Sequence, residues 1–486
     1  MAVTRSTPQS REASRSRTRT KITTTRAPEL IWLILAGIII SGAWWLVYSA
    51  KIRRPESPAP PLNVSRVDRA EKLYPVLAVI QSPADREFIA RRIFDAIAED
   101  GGTLPNTGAI ARIRPARADL MGDRKLDDLR KRAEEAKTNT VGLLTPAQFA
   151  QLKPQIIVRD FAGFKREFLL WAGAILVAFV LTNLVWTIRG FTGPLAFLPL
   201  LLLLTGIGFA LMVALRDPLR DTMIFIPFAQ GVVGGCLLML LASFVNWEST
   251  TASYSFVPLL GAIVLSLALI FFGSGPSGSD ARVNLGPFQP VEVIKILLVF
   301  FLAGYFSKRW PLLRQLREKR FVIPGIELPP LEYAAPVMIG VGLAVVFFYL
   351  QRDLGPALVF AAVFLTLYAI ARNRAPLAVI GMATLLGGFL AGYFLGTPKT
   401  VHDRVSMWLS PWSNTVRGGD QVVHSLWAMA SGGPLGTGPG LGESDVIPAG
   451  YTDLIVSVLG EEWGFLGIIT VYSIFALLIW LGLRVA

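Results

Sequence analysis

Ten runs of apolar residues, each long enough or nearly long enough to cross a bilayer, punctuate this chain. They fall at 30–49, 168–188, 195–215, 223–244, 257–272, 291–306, 335–350, 356–370, 377–394 and 454–483. A helix of about 20 apolar residues spans the hydrocarbon core. The pattern therefore predicts an all-α polytopic membrane protein with about ten transmembrane helices. The last run is long enough to tilt or to extend past the bilayer.

Between the first two runs the pattern changes. Pro55, Pro58, Pro60 and Pro61 make an extended, fairly stiff linker. Over 66–100, Ile89, Ile93, Phe94 and Ile97 recur at helical spacing. A second, highly charged helix is expected over 126–136, and Thr145-Pro146-Ala147-Gln148 reads as the capped start of a third. Gly101, Gly102 and Pro115 punctuate these elements. The stretch 50–165 is thus expected to be a small helical or mixed domain on the outer face. It carries no metal-ligand spacing, nucleophile elbow or phosphate loop, so docking or spacing is its expected role.

Composition and charge sharpen this picture. At 53% hydrophobic residues the chain is too apolar for a soluble protein of 486 residues. The formal charge of +13 raises nucleic acid as a partner, but its distribution argues against that. Arg5, Arg11, Arg15, Arg17, Arg19, Lys21 and Arg26 precede the first run as a solvated basic arm. Basic segments stay cytoplasmic, which puts the N-terminus inside. Counting crossings then places Lys308, Arg309, Arg314, Arg317, Lys319 and Arg320 inside, with Arg372, Arg374 and Arg484. The stretches 273–290, 351–355 and 396–452 fall outside. The run 30–49 lacks a small-residue cleavage site and reads as an anchor. Cys236 is the single cysteine, so no intrachain disulfide forms.

Candidate chemistry gathers on the outer side. Asp453 stands at the mouth of the last apolar run, with Glu461 and Glu462 about two turns inside it. A charge at membrane depth costs roughly 2.5–3.5 kcal/mol even on lenient insertion scales, so three acids there need a reason. Asp453 reads equally as a general base or as an acid complementing the helix dipole. Glu461 and Glu462 lie too deep for a sugar and are expected to fasten helices together. Glu292 and Lys295, three residues apart, are expected to pair and to face the bundle interior. Nearby Gln289 belongs to the same cluster, and Arg282, just outside, is free to meet an anion. Asp353 either caps the following helix or serves the site. The loop 396–452 holds His402-Asp403-Arg404, Trp408, Trp412, Arg417 and Trp427, with glycines dense enough for a binding, moving segment. At least two of the tryptophans are expected to be interface anchors. His402 and His424 lack metal-ligand spacing, and no metal site is expected.

These residues carry a resemblance. Arg282, then Phe288-Gln289-Pro290-Val291-Glu292 with Lys295, Gln351-Arg352-Asp353-Leu354-Gly355, His402-Asp403-Arg404, Ser431-Gly432-Gly433, and Thr452-Asp453 with Glu461-Glu462 resemble the SEDS family in order and topology. Those are the RodA, FtsW and SpoVE proteins of bacterial elongation, division and sporulation. Val283, Val291 and Arg352 stand where the family usually has tryptophan, serine and proline. Pro448-Ala449-Gly450-Tyr451 replaces its usual Pro-Glu-x-His.

The resemblance implies a peptidoglycan glycosyltransferase of the bacterial cytoplasmic membrane, polymerising lipid II with a class B penicillin-binding transpeptidase as partner. It puts the family's essential aspartate at Asp453. With the apolar runs and charges above, the expected organisation is a basic arm at 1–29, an anchor at 30–49, the insert at 50–165 and a transmembrane helix at 166–190. The resemblance implies a SEDS-like membrane core at 191–486. That core offers eight of the family's usual ten helices, so the chain is expected to be C-terminally incomplete with an N-terminal extension.

The bottom-up chemistry agrees with that reaction. Joining two lipid-linked disaccharides removes a proton from a sugar hydroxyl while a pyrophosphate leaves. Asp453 suits the first task, and Arg282, Arg404 or Arg417 the second. No cofactor is identifiable, although a divalent cation (Mg²⁺ or Mn²⁺) bridging the pyrophosphate is compatible with the chemistry. Two rivals stand beside this reading: a flippase for lipid-linked precursors, and a non-catalytic scaffold activating a partner synthase. The acids cluster in the outer half or near mid-depth, which favours chemistry at one face over transport.

Overall fold

The computed structural model describes residues 26–53, 60–99, 101–247, 249, 254–275, 281–286, 288–315, 322–323, 326–327, 331–372, 376–397, 399–412 and 419–485. Every predicted apolar run falls on a helix. In chain order these are α1 (Ala27–Ile52), α7 (Phe161–Ile188), α8 (Phe197–Ala214), α9 (Phe225–Ala242), α10 (Val257–Phe272), α11 (Pro290–Gln315), α12 (Leu331–Leu350), α13 (Leu354–Arg372), α14 (Pro376–Leu395) and α17 (Ile455–Val485). Among the described residues, seven helices are long and apolar enough to cross a membrane and three more are shorter apolar helices. The fold is an all-α polytopic membrane protein.

The chain divides into two compact units, residues 1–240 with 424–486, and residues 241–423. In the first, α1 lies along α8. Trp44 donates its indole N–H to the Gly206 carbonyl at 2.8 Å and meets Phe209 edge-on at 5.0 Å. A side chain at Gly206 would collide with Ile40, so glycine permits this close approach. At the other end of α1, Glu29 is fully buried and takes a two-pronged contact from Arg26, plus the Asn183 amide of α7 at 2.7 Å. Arg26 is therefore a helix fastener and not a solvated charge of the basic arm. The rest of that arm, from Arg5 to Lys21, lies outside the described residues.

Among the described residues the insert holds five α-helices: α2 (Pro83–Glu99), α3 (Gly108–Arg112), α4 (Arg117–Gly122), α5 (Asp128–Glu135) and α6 (Pro146–Leu152). Ile89, Ile93 and Ile97 of α2 pack in its core with Leu129, Leu143 and Leu152. Thr145 and Gln148 form a reciprocal capping box at the start of α6. Two-residue strands β1 (Leu62–Asn63) and β2 (Ile156–Ile157) pair in parallel and bring the ends of the insert together.

The insert is docked on the connection between α8 and α9. The Val158 amide donates to the Leu219 carbonyl at 2.9 Å, and the Thr107 amide to the Arg220 carbonyl at 2.8 Å. Arg159 donates to the Pro218 carbonyl at 2.9 Å, and Lys153 pairs with Asp221 at 3.1 Å.

In the second unit, α10 to α13 pack around Phe301, Tyr305, Phe348 and Phe360. The expected loop over 396–452 is partly helical: it contains α15 (Lys399–Leu409) and α16 (Gly419–Gly432).

The last run also differs from a plain helix. α17 is broken at Gly464, whose φ of 68° and ψ of −167° suit glycine alone. The segment after α16 fills the break. Thr437 and Gly438 donate their amides to the Glu461 and Glu462 carbonyls at 2.8 and 3.1 Å, and the Phe465 amide donates to Gly433 at 2.9 Å. Irregular backbone at membrane depth is tolerated where protein satisfies its polar groups, and this exchange of bonds does so.

Two predictions follow from these contacts. Asp85, 1% exposed, accepts the amides of Asp127, Asp128 and Leu129 at 3.2, 2.9 and 3.4 Å and so caps α5 from a distant helix. Asp85→Ala strands those donors and should cost roughly 1–3 kcal/mol, read as faster hydrogen exchange across the insert. A Cβ at Gly464 would lie 2.3 Å from the Gly436 nitrogen, whereas one at Gly231 of α9 meets nothing within 4 Å. Gly464→Ala should lower the thermal midpoint of the detergent-solubilised protein by several degrees, and Gly231→Ala should leave it unchanged or raise it.

Candidate functional site

The turn that carries Asp453 is built by backbone constraint. Ala449 sits at a φ of 54°, and the Thr452 and Leu454 amides both return to its carbonyl, at 3.0 and 3.2 Å. Buried Gly450 packs against Leu215 and Val458, so the turn is pressed onto the ends of α8 and α17. The Arg216 guanidinium stands 5.8 Å from the centre of the Tyr451 ring. Asp453 is exposed and precedes the first turn of α17, and among the described residues it forms no hydrogen bond or ion pair. Its carboxylate is open to a ligand.

Two turns on, Glu461 and Glu462 are 7% and 0% exposed. Their hydrogen bonds go not to a neighbouring helix, as the sequence suggested, but to another part of the chain. They hold the Gly-rich segment that fills the break in α17. Glu461 accepts the Glu443 amide at 2.9 Å and the Ser444 hydroxyl at 2.8 Å. Glu462 accepts the Gly440 amide and shares the Ser444 hydroxyl at 3.2 Å. Buried carboxylates are tolerable when hydrogen bonds of this kind surround them. The approach is close: a Cβ on Gly432 would lie 1.9 Å from the Gly460 carbonyl oxygen. From Gly432 to Asp453 the chain is thus clamped at one end by the two glutamates and at the other by the Ala449 turn.

The remaining candidates lie in the second unit. Glu292 and Lys295 pair at 2.7 Å as expected, but they are 59% and 37% exposed, so the pair is accessible and not packed into the bundle interior. Gln289 is exposed beside them. Arg282 is not free: its guanidinium donates to the Ile270 carbonyl near the end of α10, and its amide donates to Gln351 at 2.9 Å. That contact satisfies a helix-terminal carbonyl, which explains an arginine there without an anion.

Asp353, in the turn between α12 and α13, accepts the Gly355 amide and so caps α13. Burial raises its carboxyl pKa above the ordinary value, and Lys295, the Gly355 amide and Arg404 oppose that shift. Lys295 and Arg404 thus each act electrostatically on Asp353, with Arg404 exposed on α15. Gln351 is fully buried, and neither atom of its amide has a hydrogen-bond partner among the described residues.

The turn itself departs from the motif's usual proline for a visible reason. Arg352 has a φ of 59°, which a proline ring locked near −65° cannot reach. His402 stacks on Tyr393 at 5.4 Å. Arg417 lies outside the described residues. Among the described residues no three His, Cys, Asp or Glu side chains gather to hold a metal ion.

One residue of the site escaped the sequence. Lys51, at the end of α1, is 4% exposed and acts electrostatically on Glu462. A lysine following an apolar run reads as a flanking charge, and nothing in its local sequence signals a partner so far along the chain.

Comparison with known proteins bears on residues 195–486, which match the model of the FtsW/RodA/SpoVE cell cycle proteins. Relatives in Mycobacterium leprae and Mycobacterium tuberculosis are named peptidoglycan glycosyltransferase RodA. The first is 30% identical over 304 residues, 61% of this chain and 64% of the relative. The second is 29% identical over 311 residues, with the same shares. A Geobacter metallireducens protein named probable peptidoglycan glycosyltransferase FtsW is 31% identical over 268 residues, 53% of this chain and 66% of the relative. The chain spans about two thirds or less of the length of each. The matched span holds Asp453, the glutamate pair and the whole second-unit cluster, and it covers more than half of the sequence: the chain belongs to the FtsW/RodA/SpoVE family.

Proposed function

We propose that this protein is a peptidoglycan glycosyltransferase that polymerises lipid II at the outer face of the bacterial cytoplasmic membrane, with Asp453 as general base. The observation that carries the reading is the exposed carboxylate of Asp453, unpaired among the described residues and set on a braced turn within the family-matched span. In the reaction, the Asp453 carboxylate takes the proton of an acceptor sugar hydroxyl. The oxygen so released attacks the anomeric carbon of the donor. The bond from that carbon to the pyrophosphate oxygen breaks, and polyprenyl pyrophosphate leaves with the electron pair.

Cationic groups stabilise the leaving charge in such a displacement. In the second unit the exposed Arg404 and Lys295 are assigned to phosphate contact, with Glu292 and Gln289 to sugar hydroxyls. Arg282 and Asp353 support this cluster through the α10 carbonyl and the α13 cap. The described residues gather no cage for a metal ion, so a divalent cation in this scheme would arrive with the substrate pyrophosphate, and no step depends on one. The N-terminal arm lies on the cytoplasmic side in this reading, the insert outside, and a class B penicillin-binding transpeptidase is the expected partner, in elongation or division.

The test uses purified full chain, partner and lipid II. Asp453→Asn should lower polymer formation by roughly 10²–10⁴-fold, the usual worth of a general base, with unchanged accumulation in the membrane and unchanged exchange in the insert. Polymer made at the parental rate by Asp453→Asn removes the proposed base. Movement of labelled precursor across vesicles without polymer would instead support a flippase.

A further inference from the structure

Two adjacent carboxylates buried together repel one another, and three hydrogen-bond donors, from Gly440, Glu443 and Ser444, offset only part of that cost. The cation that acts on Glu462 comes from outside the family-matched span. Lys51, the penultimate residue of α1, is buried, and its ammonium donates to the Ala214 carbonyl at the C-terminal end of α8. That end carries the negative pole of the α8 dipole, which helps hold the ammonium in place.

The same turn of α1 also touches the clamped segment directly. A Cβ on Gly440 would lie 3.1 Å from the Ala50 Cβ and 3.2 Å from the Val47 carbonyl oxygen, and Gly440 itself has a φ of 80°. Gly440 is therefore gripped between α1 on one side and the Glu462 carboxylate on the other. The chain from Gly440 then runs through Ser444 and buried Ile447 to the turn of Asp453.

We propose that Lys51 is a positioning residue: α1 acts as a built-in brace whose charge keeps the Glu461–Glu462 clamp closed and so fixes the segment that presents Asp453. The link to catalysis rests on the assignment of Asp453 above; the brace itself does not. It makes the N-terminal helix part of the working site, although the matched family span begins well beyond it.

The test is a double-mutant cycle on the full chain in lipid nanodiscs, comparing parent, Lys51→Gln, Glu462→Gln and the double variant. Lys51→Gln should speed hydrogen exchange across 433–446 by about tenfold or more, because a buried charge loses its counter-ion. Lys51→Arg should restore slow exchange. The double variant should exchange more slowly than the product of the two single effects, since neutral partners no longer need each other. Purely multiplicative effects, or unchanged exchange in Lys51→Gln, overturn the brace. If Lys51→Gln fails to fold, the double variant must recover folded protein, and a double variant no better than the single also overturns it. Polymer formation is read alongside. Loss in Lys51→Gln with rescue by Lys51→Arg supports the link to Asp453. Exchange changing as expected in a chain whose parent makes no polymer leaves the brace standing and removes the enzymatic reading.

Discussion

A helix that breaks inside a membrane must hand its backbone hydrogen bonds to something else, and in this protein the substitute is a glycine-rich strap held by two glutamates. Gly464 interrupts α17, and the carbonyls on its N-terminal side turn to the amides of Thr437 and Gly438. The carboxylates of the same two glutamates take the Gly440 and Glu443 amides and the Ser444 hydroxyl. Main chain and side chain of one short stretch thus satisfy a whole segment that hydrocarbon would otherwise leave unsolvated. The close approaches at Gly432, Gly436 and Gly464 admit no Cβ, which is why the segment is so rich in glycine.

This arrangement divides the acids by role. Glu461 and Glu462 are buried and consumed by hydrogen bonds, whereas Asp453, eight residues before Glu461, is exposed and unpaired among the described residues. A group that must accept a proton from a ligand needs the second environment, and one that must hold a backbone segment needs the first. Along the chain from the strap to the Asp453 turn, Ile447 and Gly450 are buried, which fits the proposed coupling of clamp and turn. If Asp453 is the base proposed above, its efficiency depends on close positioning against the acceptor.

The helical framework was readable from the sequence because each span is a long apolar run, and length alone separates such runs from buried strands. The capping box at Thr145 and the pairing of Glu292 with Lys295 were also legible, being local in sequence. What escaped depends on contacts between distant residues. The break at Gly464 was hidden because glycine is common in membrane helices. The donors to Glu461 and Glu462 come from another part of the chain, so two acids on one helix read as fasteners between helices. Arg282 looked free for the same reason, since its carbonyl partner is set by tertiary packing. Arg26 pairs with Glu29 only three residues on, and what the sequence hid was the burial of that pair and the distant Phe191 carbonyl. The helices α15 and α16 lay in a stretch whose glycines and tryptophans suggested a loop, although Val401, Val405 and Trp408 recur at helical spacing.

The central claim is that Asp453 meets the acceptor sugar. The most direct measurement is an experimental structure of the full chain with a lipid-linked disaccharide bound. The account predicts an acceptor hydroxyl within about 3.2 Å of an Asp453 carboxylate oxygen, hydrogen-bond reach for a general base. A disaccharide seated with its reacting hydroxyl against other side chains, and Asp453 facing only solvent, would contradict it.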